Sequence, residues 1–245
     1  MKANQFDQFG HNWWNTQDGE FKLLHAINPL RMQFILESIY SHFGVNSTAG
    51  LKVLDVGCGG GLVSIPMARL GADITGIDAS FQAIDKASFK AANENLSNTN
   101  YICTSFEEFE TSEKFDVVLC MDAAEHVDSL TNLISMIVKC LKPNGLVIIS
   151  SINKTLKSLI QAIIMAEYVL RLLPRGTHEY QKLVRPYDLE LEFNKYEFGI
   201  KQMKGIKYSL LSRSWELSKD TDVNYMVSIS SMHLSGLAIV SEGES

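Results

Sequence analysis

The sequence predicts an α/β fold built on a mostly parallel, seven-stranded sheet that ends in an antiparallel hairpin. From residue 51 onward, short apolar runs alternate with segments of helical periodicity, a pattern typical of parallel strands covered by helices on both faces. A glycine-rich turn, GCGGG, separates the first apolar run from the helix that follows it. After residue 198, two β-like runs at 199–210 and 223–230 have no helix between them, which predicts the hairpin.

Size and composition predict a single-domain globular protein. The chain has 245 residues, of which 46% are hydrophobic and 20% are charged, enough for one well-buried core. The net charge of −6 argues against a nucleic-acid partner, which normally binds a basic face. The 4 cysteines form no CxxC pair and are expected to be reduced thiols, and the amino terminus has no apolar signal-peptide core. These features predict a cytoplasmic protein.

Local signals predict the elements in order. A first helix is expected to begin with Asn28 as its N-cap and Pro29 in its first turn, and to end at Gly44. Apolar runs then predict strands, apolar periodicity predicts the helices between them, and a Pro-Asn-Gly turn precedes the fifth strand. The predicted strands are 51–57, 72–78, 100–105, 114–121 and 143–152, and the predicted helices are 61–70, 80–95 and 129–142.

The glycine turn predicts a nucleoside-containing ligand. In LDVGCGGGL, residues 54–62, a strand precedes the glycines and a helix follows them. Asp78 ends the next strand, 21 residues after Gly57, where a carboxylate can accept hydrogen bonds from the hydroxyl groups of a ribose. The alternative interpretation is that the glycines only allow a strand and a helix to pack closely.

Two ligand classes remain, and the residues around the turn distinguish them. A dinucleotide such as NAD brings a pyrophosphate, which favours a helix N-terminus without negative charge nearby. Here Asp55 precedes the glycines, and Leu62 stands where the dinucleotide fingerprint has its third glycine. S-adenosylmethionine (SAM) has no phosphate, and its sulfonium and ammonium groups favour nearby carboxylates. The motif therefore favours SAM, with an NAD-binding oxidoreductase as the alternative.

Five segments together resemble the ubiquinone biosynthesis O-methyltransferase family. They are GEFKLLHAINPLR, KVLDVGCGGGL, MDAAEHV, AEYVLRLLPRGTHEY and DVNYM, and the resemblance runs from about Trp13 to Met226. It implies a class I SAM-dependent methyltransferase fold, which is Rossmann-like. It also implies methylation of phenolic hydroxyls on polyprenylated rings, namely 2-polyprenyl-6-hydroxyphenol and 3-demethylubiquinol. A class I methyltransferase that acts on another small phenol is the alternative.

The resemblance further implies which residues bind SAM. Arg31 would hold the methionine carboxylate, Gly57 would let the backbone approach the ligand, and Asp78 would accept hydrogen bonds from the ribose hydroxyls. Met121 ends the fourth strand, where it would face the methionyl portion. Further cofactor contacts are expected from Asp55, Gly59 and Phe106, the last of them beside the adenine.

The segment MDAAEHV is expected to carry the chemistry, because a phenol with a pKa near ~10 must lose its proton before its oxygen attacks a methyl group. Asp122, Glu125 and His126 share one face if this stretch is helical. They are then candidate ligands for Mg²⁺ or Mn²⁺, which would lower the pKa of a chelated catechol oxygen. Related enzymes carry E-x-x-E-H here, so Asp122 is one methylene shorter. In the alternative, His126 is a direct general base.

A basic insertion, residues 154–186, follows the fifth strand. Residues 154–185 hold 6 Lys/Arg against 2 Glu and so carry a charge of +4. Because the net charge of the whole chain is −6, the rest of the chain carries −10. Its apolar residues form a helical stripe, which predicts an interfacial helix on an anionic membrane that gives access to a polyprenylated substrate. The charges interrupt it too often for it to span a bilayer. The alternative is a helix packed on the domain.

The predicted organisation has three parts. Residues 1–50 are an N-terminal helical cap of the same domain, 51–230 are the methyltransferase domain, and 231–245 are an unassigned tail. The expected location is the cytoplasm, peripheral on the inner membrane. The expected partners are a polyprenylated catechol or quinol, the anionic lipid surface and other enzymes of ubiquinone biosynthesis.

Overall fold

The computed structural model describes residues 13–14, 21–159 and 182–232. These residues form six helices and eight strands, with a 3₁₀ turn at Ala124–His126. In chain order the elements are α1 (Lys22–Phe43), β1 (Lys52–Val56), α2 (Ser64–Arg69), β2 (Asp73–Asp78), α3 (Phe81–Asn93), β3 (Thr99–Cys103), β4 (Phe115–Met121), α4 (Leu130–Cys140), β5 (Leu141–Ile152), α5 (Leu156–Ser158), α6 (Pro186–Asn194), β6 (Phe198–Ser209), β7 (Ser214–Ser218) and β8 (Asn224–Ser231).

The strands form one sheet in the order β3-β2-β1-β4-β5-β8-β6-β7. Strands β1 to β5 are parallel to one another. Strand β8 lies between β5 and β6 and is antiparallel to both, so β6 runs in the same direction as β1 to β5. Strand β7 pairs antiparallel with β6 at the edge. The predicted mostly parallel α/β fold is therefore confirmed.

The carboxyl-terminal strands differ in detail from the expected hairpin. The two predicted runs do pair antiparallel, as β6 and β8. However, the chain forms an additional strand between them, β7, which forms the hairpin with β6. The sheet therefore has eight strands and not the predicted seven. The sequence of β7, SWELS, is short and mostly polar, and an edge strand needs no continuous apolar run because only one side of it is paired.

Both faces of the sheet are buried, which is why its central strands have continuous apolar sequences. On β4, Val117 and Leu119 pack with residues of α1 and α2 on one face. Val118 and Cys120 of the same strand pack with residues of α4 and α6 on the other. The alternation of side chains along one strand thus supplies both layers of the core.

Helix α1 begins seven residues earlier than the N-cap signal predicts. It starts at Lys22, and Pro29 lies inside it. Asn28 does not cap a helix; its side-chain amide instead donates a hydrogen bond to the carbonyl of Leu62, at 2.7 Å. The added turns are held by tertiary contacts, since Phe21 stacks on Trp13 with ring centroids 4.0 Å apart. Gly44 ends the helix in the left-handed conformation, as predicted.

The ends of the basic insertion are tied to strand β8 and to the connection that precedes it. On one side, the ammonium of Lys157 lies 2.6 Å from a carboxylate oxygen of Asp220. On the other, the Tyr225 hydroxyl donates to the carbonyl of Val184 at 3.0 Å. Most of the predicted interfacial helix, 160–181, and the tail 233–245 lie outside the described residues. Among the helices that are described, none is long and apolar enough to cross a membrane.

Candidate active site

The candidate site lies where the strand order reverses, between the carboxyl ends of β1 and β4. Open parallel sheets bind their ligands at such a switch point. The loop after β1 is the glycine turn, and the loop after β4 is the segment MDAAEHV. A pocket opens between them, lined by Trp13, Leu24, Arg31, Asp55, Gly57, Cys58, Gly59, Leu62, Val63, Asp78, Ala79, Ser80, Ala83, Met121, Asp122, Ala123 and His126.

The glycine turn needs residues without a side chain at its first and third positions. Gly57 has φ +72 and Gly59 has φ +53, in the left-handed region that favours glycine. Asp78 holds the turn in place, because its Oδ2 accepts a hydrogen bond from the Gly59 N–H at 2.9 Å. Its Oδ1 accepts another from the Ser80 N–H at 2.8 Å, at the N-cap of α3. Asp78 also lines the pocket itself.

Asp55 is buried beneath the turn with almost no contact with water. Burial raises the pKa of its carboxyl to about 7, opposed by a hydrogen bond with Ser64 and reinforced by the charge of Asp78. Its Oδ2 is buried and has no hydrogen-bond partner among the residues that the structure describes. Such an oxygen on the wall of a pocket is a place where a cationic donor would bind.

Arg31 and Asp122 form an ion pair across the pocket. Arg31 comes from the middle of α1 and is 5% exposed. Desolvation lowers the pKa of its guanidinium to about 10, against the charge of Glu125, so Arg31 stays cationic at neutral pH. Asp122 is held by Ser150 at the end of β5, whose hydroxyl donates to its Oδ1 at 2.5 Å and accepts from its N–H at 3.0 Å.

The expectation that Asp122, Glu125 and His126 share one helical face is wrong. Asp122 has φ +53, a left-handed backbone, and only the residues from Ala124 to His126 form a 3₁₀ turn. Glu125 is buried and accepts a hydrogen bond from the Ser151 hydroxyl at 3.0 Å, whereas Asp122 and His126 line the pocket. Within the described parts of the chain, no three His, Cys, Asp or Glu side chains form a group that could hold a metal ion.

The two remaining predicted contacts lie on either side of the switch point. Met121 lines the main pocket at the end of β4. Phe106 lines a second, mostly apolar depression that shares Gly57, Asp78 and Ala123 with the first. The two depressions adjoin at the carboxyl ends of β1 and β2, and the acidic residues Asp55 and Asp122 line only the first of them.

Trp13 is a pocket residue that no local signal in the sequence identifies. Its indole ring lies on the glycine turn so closely that a Cβ added at Gly59 would come within 2.5 Å of it, and one at Gly60 within 2.6 Å. The neighbouring Trp14 donates from its indole N–H to the carbonyl of Gly60 at 3.1 Å. The sequence before α1 is rich in aromatic residues, but the glycine turn that they contact lies about 46 residues further along the chain, so no local pattern links the two.

Known proteins share both the sequence and the fold. Residues 31–202 match the family model described as a methyltransferase domain. The ubiquinone biosynthesis O-methyltransferase of Rickettsia felis is 42% identical over 226 residues, covering 92% of this chain and 91% of that protein. The enzyme of the same name from Brucella anthropi is 46% identical over 232 residues, covering 92% and 93%.

Solved structures match the fold at lower identity. Magnesium protoporphyrin IX methyltransferase from Synechocystis PCC 6803, with bound SAH, has a TM-score of 0.65 at 20% identity, covering 94% of this chain and 97% of that chain. A plantazolicin methyltransferase in complex with SAH has a TM-score of 0.63 at 16% identity, covering 94% and 97%. The fold is that of a class I methyltransferase, and by its similarity to the curated relatives the chain belongs to the ubiquinone biosynthesis O-methyltransferase family.

Proposed function

We propose that this protein is a SAM-dependent O-methyltransferase of ubiquinone biosynthesis. Its acceptors are the phenolic hydroxyls of 2-polyprenyl-6-hydroxyphenol and 3-demethylubiquinol. The observation that carries the proposal is the pocket at the switch point, which places Asp55, Asp78 and Arg31 around a glycine turn in a chain of this family. SAM, when bound, supplies an electrophilic methyl group on a sulfonium.

The residues of the pocket fit the charges of SAM. The buried Oδ2 of Asp55, which has no partner within the described part of the chain, suits a cationic donor, and Asp78 suits the ribose hydroxyls. Arg31 has five N–H donors, so it can hold Asp122 and a ligand carboxylate at the same time. Gly57, Gly59 and Met121 let the ligand lie against the ends of β1 and β4, and Phe106 would border the adenine in the apolar depression.

His126 is the residue that we assign as the general base. It lines the pocket beside Met121 and Asp122, close to where an acceptor oxygen would approach a methyl group. The acidic residues near it do not fit the alternative of a three-ligand Mg²⁺ or Mn²⁺ site, because Asp122 is paired with Arg31 and Glu125 points to Ser151. Glu125 then acts by its charge on buried Arg31 and not on the substrate.

The insertion is proposed to bring the enzyme to its substrate. A polyprenylated ring lies in a bilayer, and residues 154–185 carry +4 in a chain of net charge −6. An anionic surface would attract this segment while the rest of the protein is repelled. We therefore assign the protein to the cytoplasmic side of the inner membrane as a peripheral protein, near other enzymes of the pathway. Residues 1–50, 51–230 and 231–245 remain our proposed cap, methyltransferase domain and tail.

Calorimetric titration of the full chain with SAM and with NADH tests the cofactor. We expect heat of binding with SAM and none with NADH. Tight NADH binding without SAM binding would contradict the proposal. Methyl transfer from SAM to a short-chain, water-soluble catechol then tests the reaction without any membrane. A protein that binds SAM and leaves the catechol unmethylated would point to another acceptor.

A further inference from the structure

The turn between β6 and β7 exposes two adjacent leucines. The last pair of the hairpin is Ser209 with Ser214, and the four residues between them form the turn. Leu210 is 86% exposed and Leu211 is 99% exposed, more than any other large hydrophobic residue among those described. The turn is ordered by its own polar contacts, since the Ser212 N–H donates to the Ser209 hydroxyl at 3.3 Å. An adjacent pair of apolar side chains held outward at a loop tip differs from scattered surface leucines, which are ordinary.

The topology places this turn beyond the active-site edge of the sheet. Strand β6 runs parallel to β1 to β5, so its carboxyl end lies at the same edge as the glycine turn and MDAAEHV. Ile206 pairs through hydrogen bonds with Asn224, which lies opposite Ile152, the last residue of β5. Leu211 follows Ile206 by five residues, a reach of up to about 16 Å at 3.3 Å per residue.

The base of the hairpin carries residue types that are typical of proteins at a lipid headgroup region. Tyr208 and Trp215 face each other across the two strands, with ring centroids 5.3 Å apart. Such amphipathic rings are typical of the boundary between apolar chains and water. Residues 199–218 hold 4 Lys/Arg (Lys201, Lys204, Lys207 and Arg213) and 1 acid, Glu216, so they carry +3 in a chain of −6.

We propose that the hairpin tip, Leu210 and Leu211, inserts into an anionic lipid surface as a membrane contact separate from the basic insertion. This inference rests on the proposed function, because only a bilayer-resident acceptor gives the enzyme a reason to dock. Apolar side chains at the tip, aromatic rings behind them and cations around them are the order in which a protein meets lipid tails, interface and headgroups. A second protein would not require this sequence of layers.

The two contacts would face one surface. Strand β5 leads into the insertion at the edge from which the hairpin projects. Lys157, at the start of the insertion, bonds to Asp220 and Asp222 in the connection that follows β7. Leu156 beside it is 69% exposed. The base of the insertion and the base of the hairpin are thus joined at the active-site edge, so one bilayer can contact both.

Vesicle flotation with the full chain tests the proposal. The probe is vesicles of equal parts phosphatidylcholine and phosphatidylglycerol, and the variant is L210S/L211S. We expect its partition onto the vesicles to fall about tenfold, because two apolar side chains no longer leave water. The matched control is F89S, which removes a 64% exposed aromatic from α3 beside the opposite edge of the sheet and should leave partition unchanged.

A positional readout decides whether the tip itself enters the lipid. In vesicles with brominated acyl chains, the fluorescence of L211W should be quenched beyond that of the wild type, and that of F89W should not. Equal partition of L210S/L211S and wild type, no partition of the wild type, or no quenching of L211W would each overturn the inference. A change of oligomeric state in L210S/L211S would overturn it in favour of a second copy. Methyl transfer to the water-soluble catechol reports on the proposed function independently.

Discussion

At the level of single residues, Asp78 combines two roles in one carboxylate: it binds the Gly59 and Ser80 N–H groups and it lines the pocket. We expect Asp78→Ala to weaken SAM binding by about 3 kcal/mol, because hydrogen bonds to a charged group contribute roughly 1.5–3 kcal/mol each. The free energy of unfolding should fall by less, since water can reach the two N–H groups. Calorimetry with SAM and thermal unfolding measure the two effects. A variant that binds SAM normally would show that the ribose lies elsewhere.

Asp55 makes the stability of the free enzyme depend on pH. Its pKa is about 7 in the folded protein against an ordinary value of 3.8, so between these pH values the folded state binds more protons than the unfolded state. Stability contributed by this group is therefore present below about pH 4 and is lost as pH rises through 7. Asp55→Asn should remove the loss, so that its melting temperature without SAM exceeds that of the wild type at pH 8 but not at pH 4.

The same substitution, Asp55→Asn, should weaken SAM binding. Measuring SAM affinity therefore serves as a control for the stability experiment. The ionised carboxylate favours a cationic ligand, so SAM affinity of the wild type should rise from pH 5 to pH 8. Asp55→Asn should bind more weakly at pH 8 by about 1.5–3 kcal/mol and lose most of this pH dependence. Parallel pH profiles for the two proteins would mean that Asp55 does not face the cofactor.

The general-base mechanism, through His126, and the metal mechanism, with Asp122 as a ligand, predict opposite effects of chelation on methyl transfer. If His126 is the base, methyl transfer to a catechol should continue in excess EDTA with a verified metal-free protein. His126→Gln should lower kcat by about 10²–10⁴-fold, and by less with a more acidic catechol, whose oxygen ionises with less help. Loss of activity on chelation and its recovery with Mg²⁺ would instead require Asp122 to leave Arg31 when substrate binds.

The sequence predicted the pocket residues that lie at strand ends. Asp55, Gly57, Gly59, Asp78 and Met121 all line the pocket, as the topology of a parallel sheet requires. The conformation of Asp122 was not predictable locally. Its left-handed backbone is held by partners on α1 and β5, which no spacing within MDAAEHV reveals.

At the level of elements, the presence of a strand or helix was easier to predict than the residue at which it begins or ends. Strands β1 to β5 and helices α3 and α4 stand where apolar runs and periodicity place them. Helix α1 extends past its apparent N-cap because Trp13 and Phe21 stabilise the extra turns, and such contacts outweigh a capping preference. Helix α6 was not predicted separately, since it is only 9 residues long and adjoins the insertion.

The basic insertion can be tested as an element by neutralising its charges. Replacing Arg171, Arg175, Lys182 and Arg185 with Gln should weaken binding to phosphatidylglycerol vesicles by on the order of 1 kcal/mol per charge. SAM affinity should not change, because Asp55, Asp78 and Arg31 are untouched. The effect should shrink at high salt, which screens charges at an exposed surface. Equal vesicle binding before and after would favour a helix packed on the domain.

At the level of the whole molecule, the parallel part of the sheet carries the pocket proposed for the cofactor, at the ends of β1, β2 and β4, while β6 to β8 extend the sheet on one side. The Tyr225 hydroxyl of β8 bonds to Val184 at one end of the insertion, and Asn153 after β5 bonds to Thr221 before β8, at 2.9 Å. These links hold both ends of the insertion against the same strands. The sequence indicated that the sheet ends in antiparallel strands. It did not indicate that β8 would lie between β5 and β6, because strand order depends on pairing between distant segments.

The position of β8 inside the sheet sets an order of events during synthesis. The ribosome makes β6 and β7 before β8, yet β6 reaches the parallel strands only through β8. The half of the sheet from β3 to β5 can therefore assemble on the growing chain, while the hairpin of β6 and β7 waits for residues 224–231. Contacts between segments so far apart in the chain form slowly. The nascent protein is thus expected to expose the open edge of β5 until residues 224–231 have been made, the interval in which a chaperone would be needed most.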